Sequence, residues 1–234
     1  MPRYSPDGTK IAFVSNRSGS QQIWIAGADG SNPEQLTFLS PGDEALSGSW
    51  SSTGRFVYHV QGIHGARTLL LEPDGGIPKE IRIPGQDRVH NQWWSRDGRW
   101  LYFSFPAFRP DMWKIRIGEQ GAIGDPVFVQ KNATRGCESV DGRFLFYVKD
   151  DGQLSLQKAP VHGGTDTVVV KALSRDANFE VVDDGVYFIP LWGPDAQYQN
   201  PVSEFRDWED GDTGQCGPSS HVGLLNKSRP ESIL

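Results

Sequence analysis

Two cysteines in 234 residues, Cys137 and Cys216, are too few for a disulfide framework and lack the paired spacing of a four-ligand zinc site. Basic residues do not dominate either: 23 Lys and Arg against 29 Asp and Glu give a formal charge of −6. That balance argues against a nucleic-acid partner, because gripping phosphates needs a concentrated basic face. No apolar run approaches the roughly 18 residues that suggest a membrane-spanning helix. No charged-then-apolar leader precedes Tyr4, and the compartment stays open between periplasm and cytoplasm. A Gly-x-Ser-x-Gly elbow and a Walker loop are both missing. The histidines His59, His64, His90, His162 and His221 show no metal-ligand spacing. Neither catalytic residues, nor a metal, nor a cofactor is therefore expected.

What the chain has in quantity is glycine (27), proline (16) and aromatics (12 Phe, 8 Trp, 6 Tyr), the composition of many short strands joined by many turns. It also repeats. SPDGTKIAFVS, SSTGRFVYHVQ, SRDGRWLYFSF, SVDGRFLFYVK and VDDGVYFIP place their glycines at 8, 54, 98, 142 and 185, with separations of 46, 44, 44 and 43. Asp-Gly favours a hairpin turn, since Gly takes positive φ freely and Asp bonds the local backbone. The strand after each turn is apolar at consecutive positions, as in Trp100-Leu101-Tyr102-Phe103, which predicts burial of both its faces. A second turn follows about 22 residues on (Asp29-Gly30, Asp74-Gly75, Gln120-Gly121, His162-Gly163). The strands between the turns are Gln22 to Ile25, Thr68 to Leu71, Met112 to Ile117 and Leu154 to Lys158, and short outer strands follow at Glu34 to Phe38 and Asp166 to Val170. Four short antiparallel strands every 40 to 50 residues describe the blade of a β-propeller. The expected fold is all-β, with four to five four-stranded blades over residues 1–193 in an incomplete ring. Tyr4, Trp50 and Trp94 stand four residues ahead of their glycines, on each inner strand.

PRYSPDGTKIAFVSNRSGSQQIWIAGADGSNPEQLT resembles the repeat of TolB-type, WD-repeat-like propellers, with its aromatic-Ser-Pro-Asp-Gly turn, Ile-Ala-Phe strand, Ile-Trp strand and closing Leu-Thr. The second copy loses Pro-Asp to Ser52-Thr53, and the last two keep little beyond Asp-Gly. The resemblance implies a bacterial, non-catalytic module for protein or ligand interaction, cut from a larger signalling or envelope protein. The alternative it implies is the substrate-gating propeller of a prolyl-oligopeptidase-like serine peptidase. Oligogalacturonate lyases share the resemblance and bind a metal through channel histidines. His90 has no partner at the equivalent offset in other repeats, which disfavours that reading.

Residues 194–234 break the repeat, and are expected to be irregular: a disordered stretch, or one read out of frame, which the gene's codons decide. DWEDGDTG crowds Asp207, Glu209, Asp210 and Asp212 without the alternating ligands and terminal Glu of a calcium loop. A propeller presents its specificity in loops at one face. The richest here are 86–93 and 104–111, so Arg88, His90, Trp93, Phe108 and Arg109 are the expected contacts, since aromatics and Arg carry most interface energy. His59 takes the place of the aromatics Phe13, Phe103 and Tyr147 and is expected to pack between blades. A protein partner is expected, and an open arc of blades also predicts self-association through its unpaired ends.

Overall fold

The computed structural model describes residues 2–63, 65–72, 76–86, 88–106, 109–173, 179–182, 185–188 and 223–226. Every regular element within them is a β-strand. The first sheet is β1 (Arg3–Tyr4), β2 (Lys10–Ser15), β3 (Gln22–Gly27) and β4 (Glu34–Gln35), and the second is β5 (Glu44–Trp50), β6 (Phe56–Gly62), β7 (Gly65–Leu71) and β8 (Lys79–Glu80). The third is β9 (His90–Trp94), β10 (Trp100–Phe105), β11 (Asp111–Gly118) and β12 (Gly121–Gln130). The fourth is β13 (Ala133–Glu138), β14 (Phe144–Asp150), β15 (Leu154–Pro160) and β16 (Thr167–Val170), and a three-stranded fifth holds β17 (Phe179–Val182), β18 (Gly185–Phe188) and β19 (Gly223–Asn226). Each sheet pairs its strands in chain order. The chain divides into two compact units, Met1–Arg135 with the first three sheets and the start of β13, and Gly136–Leu234 with the rest.

The Ser-x-Asp-Gly turns close by a shared set of bonds. In the first, Ser5 Oγ donates to Asp7 Oδ1 at 2.5 Å, and the backbone N–H groups of Thr9 and Lys10 donate to Asp7 Oδ1 and Ser5 Oγ at 3.1 and 3.0 Å. The third and fourth turns repeat this around Ser95 with Asp97 and Ser139 with Asp141. These donors favour the ionised carboxylate. The Ser5 hydroxyl, then Thr9, hold Asp7 down at about 2, and Ser139, then Arg143, push Asp141 below the usual carboxylate range.

The second turn differs, and the difference reorders a strand. Ser5, Ser95 and Ser139 each donate their N–H to the carbonyl five residues on, at Lys10, Trp100 and Phe144, whereas Ser51 donates to Arg55, only four residues on. One residue is missing after Gly54. Cross-strand pairing confirms the slip, since Tyr4 faces Ile11 and Trp94 faces Leu101 while Trp50 faces Phe56. Side chains alternate with period 2, so a one-residue slip exchanges the two faces. Tyr58, not His59, therefore stands with Phe103 and Tyr147, all three at most 1% exposed. His59 occupies the position of Val14, Ser104 and Val148 instead, correcting the expectation drawn from glycine spacing.

Within the first unit successive sheets pack front to rear. The front of the first sheet (Ala12, Ile23) packs on the rear of the second (Phe56, Tyr58, Leu69, Leu71). The front of the second (Val57, Leu70) packs on the rear of the third (Leu101, Phe103, Ile115). In the second unit Phe146, Val148 and Leu156 of the fourth sheet pack on Val181, Val186 and Phe188 of the fifth. Burial of both faces of β6 follows directly.

Outer strands vary more than expected. β4 stops at Gln35, before Phe38, whereas β12 runs for 10 residues with two register irregularities against β11. Within the stretch expected to be irregular, Gly223–Asn226 pairs antiparallel with β18, Gly185 opposite Asn226. Cys137 forms no disulfide among the described residues. Cys216, Asp74-Gly75, Asp184 and the acidic DWEDGDTG run lie outside the described residues.

Candidate functional site

β9 and β10 run antiparallel with His90 opposite Ser104. The segment entering β9 and the loop leaving β10 therefore emerge at one end of the third sheet. Arg88 is exposed two residues ahead of His90, and Arg109 is exposed in the β10–β11 loop with φ of 61°. His90 is half-buried between them in sequence position, on the first residue of β9. Burial, and then the Arg88 guanidinium, lower its pKa and favour the neutral imidazole. Phe108 lies outside the described residues. Trp93 is 9% exposed and stacks on Tyr102, with ring centroids 5.4 Å apart and planes within 4°. It faces away from His90 along β9 and contributes packing under this end of the sheet.

Behind His90 lies a polar insert in the otherwise apolar seam between the second and third sheets. His59 is 3% exposed, and its ring centroid sits 5.3 Å from that of His90. Gln92 Nε2 donates to the Val89 carbonyl at 3.0 Å and to Thr68 Oγ1 at 3.1 Å, and lies 3.4 Å from His59 Nδ1. A carbonyl only accepts, so Val89 pins the Gln92 amide with its nitrogen toward His59. The two amide hydrogens serve Val89 and Thr68, and the other ring nitrogen of His59 is Nε2. That Nε2 is buried without a hydrogen-bond partner among the described residues. Burial, and then His90, push the His59 pKa down to about 4.

On the opposite face of β9, Asn91 turns through φ of 50°, a conformation Asn tolerates. Its Nδ2 donates to Thr134 Oγ1 at 2.7 Å, and Ser104 Oγ donates to the same oxygen at 3.1 Å. Thr134→Val keeps the shape and removes the acceptor from both donors. It is expected to cost about 1–2 kcal/mol in urea unfolding, and unchanged stability would show that the hydroxyl does not hold this corner.

The structure thus brings Arg88, His90 and Arg109 to one end of the third sheet, and separates Trp93 from them. Reading the sequence missed the partnership of His59 with Gln92 and Thr68. The available signal was the absence of a residue between Gly54 and Arg55, compared with Thr9 after Gly8. Among the described residues no three His, Cys, Asp or Glu side chains are grouped to hold a metal.

No family model matches the chain. An uncharacterized protein of Agrobacterium fabrum is 34% identical over 106 residues, covering 42% of this chain and 36% of that protein. Tricorn protease homolog 1 of Streptomyces coelicolor is 32% identical over 79 residues, covering 32% of this chain and 7% of that one. The chain spans well under half the length of these curated relatives. Among solved structures, TolB from Acinetobacter baumannii superposes with a TM-score of 0.65 at 15% identity, over 82% of this chain and 48% of that one. The putative TolB from Agrobacterium tumefaciens gives 0.60 at 18%, over 72% and 64%. A prolyl endopeptidase gives 0.55 at 12%, over 80% and 31%. In fold, the chain is a β-propeller similar to these TolB structures.

Proposed function

We propose that the chain is a non-catalytic interaction module that meets a protein partner at the end of the third sheet where Arg88, His90 and Arg109 gather. The observation that supports this reading is the antiparallel pairing of β9 with β10, which sets two exposed guanidinium groups at the same end as a half-buried imidazole. Arg is enriched among the residues that dominate interfaces, because its planar fork binds with little further loss of freedom. Phe108 joins the contact by its place beside Arg109 in the sequence, and Trp93 supports it from beneath. In this reading the parent is a larger signalling or envelope protein, and the short span of the chain against its relatives supports only the greater length.

The test uses the purified chain and an Arg88→Ala, Arg109→Ala double variant as baits, with retained proteins quantified by mass spectrometry. A partner held by the unsubstituted chain should fall by about tenfold or more on the double variant. Equal retention by both baits would overturn the assignment. A second reading, a substrate-gating propeller of a serine peptidase, draws support from the likeness to a prolyl endopeptidase. Labelling of the native full-length polypeptide by a serine-hydrolase probe would favour it.

A further inference from the structure

In the third sheet His90 stands opposite Ser104, Phe105 opposite Asp111 and Gln130 opposite Met112, so β9 and β11 begin where β10 and β12 finish. Three basic residues flank those strand ends. Arg88 leads into β9, Arg109 lies between β10 and β11, and Lys131 follows β12. All three are exposed, and none of their side chains forms an ion pair or a hydrogen bond among the described residues. Asp111, the acid at this end, is half-buried and accepts the Asn132 N–H at 2.9 Å, and Asp87 lies outside the described residues. At the other end of the same sheet Arg99 is paired, with Asp97 at 3.5 Å. On a chain of formal charge −6, this sheet end is a local reversal of sign.

Its spacing selects an occupant. Neighbouring strands lie about 4.8 Å apart, so the ends of β9 and β12 are about 14 Å apart, with the β10–β11 loop about midway. An extended peptide advances about 3.4 Å per residue and points alternate side chains the same way, which sets side chains i, i+2 and i+4 about 7 Å apart in succession. We propose that the partner presents an extended acidic segment across this sheet end, its carboxylates at alternate positions meeting Arg88, Arg109 and Lys131 in turn. The inference rests on the reading of this end as the partner face, and adds to it Lys131 and the chemistry of the occupant. Each guanidinium offers a carboxylate a planar pair of N–H donors, and the ammonium adds a compact point charge.

Fluorescence anisotropy of the full chain at low ionic strength tests this with labelled, glycine-flanked peptides. Glu-Ser-Glu-Ser-Glu should bind, and its affinity should fall as salt rises, because the contacts are exposed. Glu-Glu-Glu-Ser-Ser, with the same charge at the wrong spacing, should bind more weakly, and Gln-Ser-Gln-Ser-Gln should not bind. Lys131→Glu sets like charges face to face and should weaken binding of the alternating peptide by about tenfold. Arg116→Ala removes an exposed cation opposite Trp100, at the far end of the sheet, and should leave binding unchanged. No binding of the alternating peptide, equal binding of the two acidic peptides, or indifference to Lys131→Glu would overturn the proposal. So would tighter binding of a single-stranded oligonucleotide of equal charge. In the retention assay Lys131→Glu should lose the same partner as the Arg88, Arg109 double variant. A partner lost by the double variant yet kept by Lys131→Glu would overturn the acidic-segment inference and leave the partner face standing.

Discussion

Phe103→Ala is expected to destabilise the first unit by about 3–5 kcal/mol, read as a drop in the urea midpoint at unchanged slope. The ring is fully buried in the seam between the second and third sheets, against Val57, Leu70, Leu101 and Ile115. Truncation removes the transfer free energy of the ring and leaves a cavity that two sheet faces, pinned by their own hydrogen bonds, collapse into only in part. The equivalent change in the first sheet, Phe13→Ala, should cost distinctly less, because Phe13 is only half-buried. Equal losses at the two positions would contradict that difference in burial.

The second large effect is a dependence on pH centred on His59. In the unfolded chain its imidazole takes up a proton near pH 6.5, whereas burial and the neighbouring His90 delay uptake in the folded chain to about 4. Between those values the unfolded state binds a proton that the native state refuses. Stability therefore falls as pH drops through 6.5 and levels off below about 4, where both states are protonated. At 1.36 kcal/mol per pKa unit the full loss is about 3 kcal/mol. The groups that act on the pair are His90 and Arg88, both basic in character, and neither relieves a charge on His59. Asp7 and Asp141 have depressed pKa values, so they contribute stability that is also lost at low pH. The useful measurement is thus a difference, the unfolding free energy of the chain minus that of His59→Gln at each pH. That difference should decline by about 3 kcal/mol from neutral pH to pH 4, and a flat difference would refute the burial of a neutral imidazole at this position.

Much of the fold was legible because its signals are local. Asp-Gly turns at near-constant spacing mark hairpins by the backbone preferences of two adjacent residues. Strands apolar at every position mark two buried faces without reference to what covers them. The four-stranded sheets follow, and so does the closeness of the segment before β9 to the loop after β10, which any antiparallel pairing requires. Arg88, His90 and Arg109 could be grouped on that basis alone. Trp93 could not be assigned a side, since its burial depends on stacking against Tyr102, nine residues away on the neighbouring strand.

By itself, the sequence determined that this protein is built from repeated blades, because turn chemistry and strand polarity act over a few residues and are written in them. Only the tertiary structure decided which side chains meet. A single residue missing after Gly54 reverses the faces of β6, placing Tyr58 in the rear seam and His59 in the front one. There His59 finds Gln92, 33 residues away. The reason is the two-residue period of the strand: spacing between glycines records the length of a repeat, while the hydrogen bond from Ser51 to Arg55 sets which way every following side chain points.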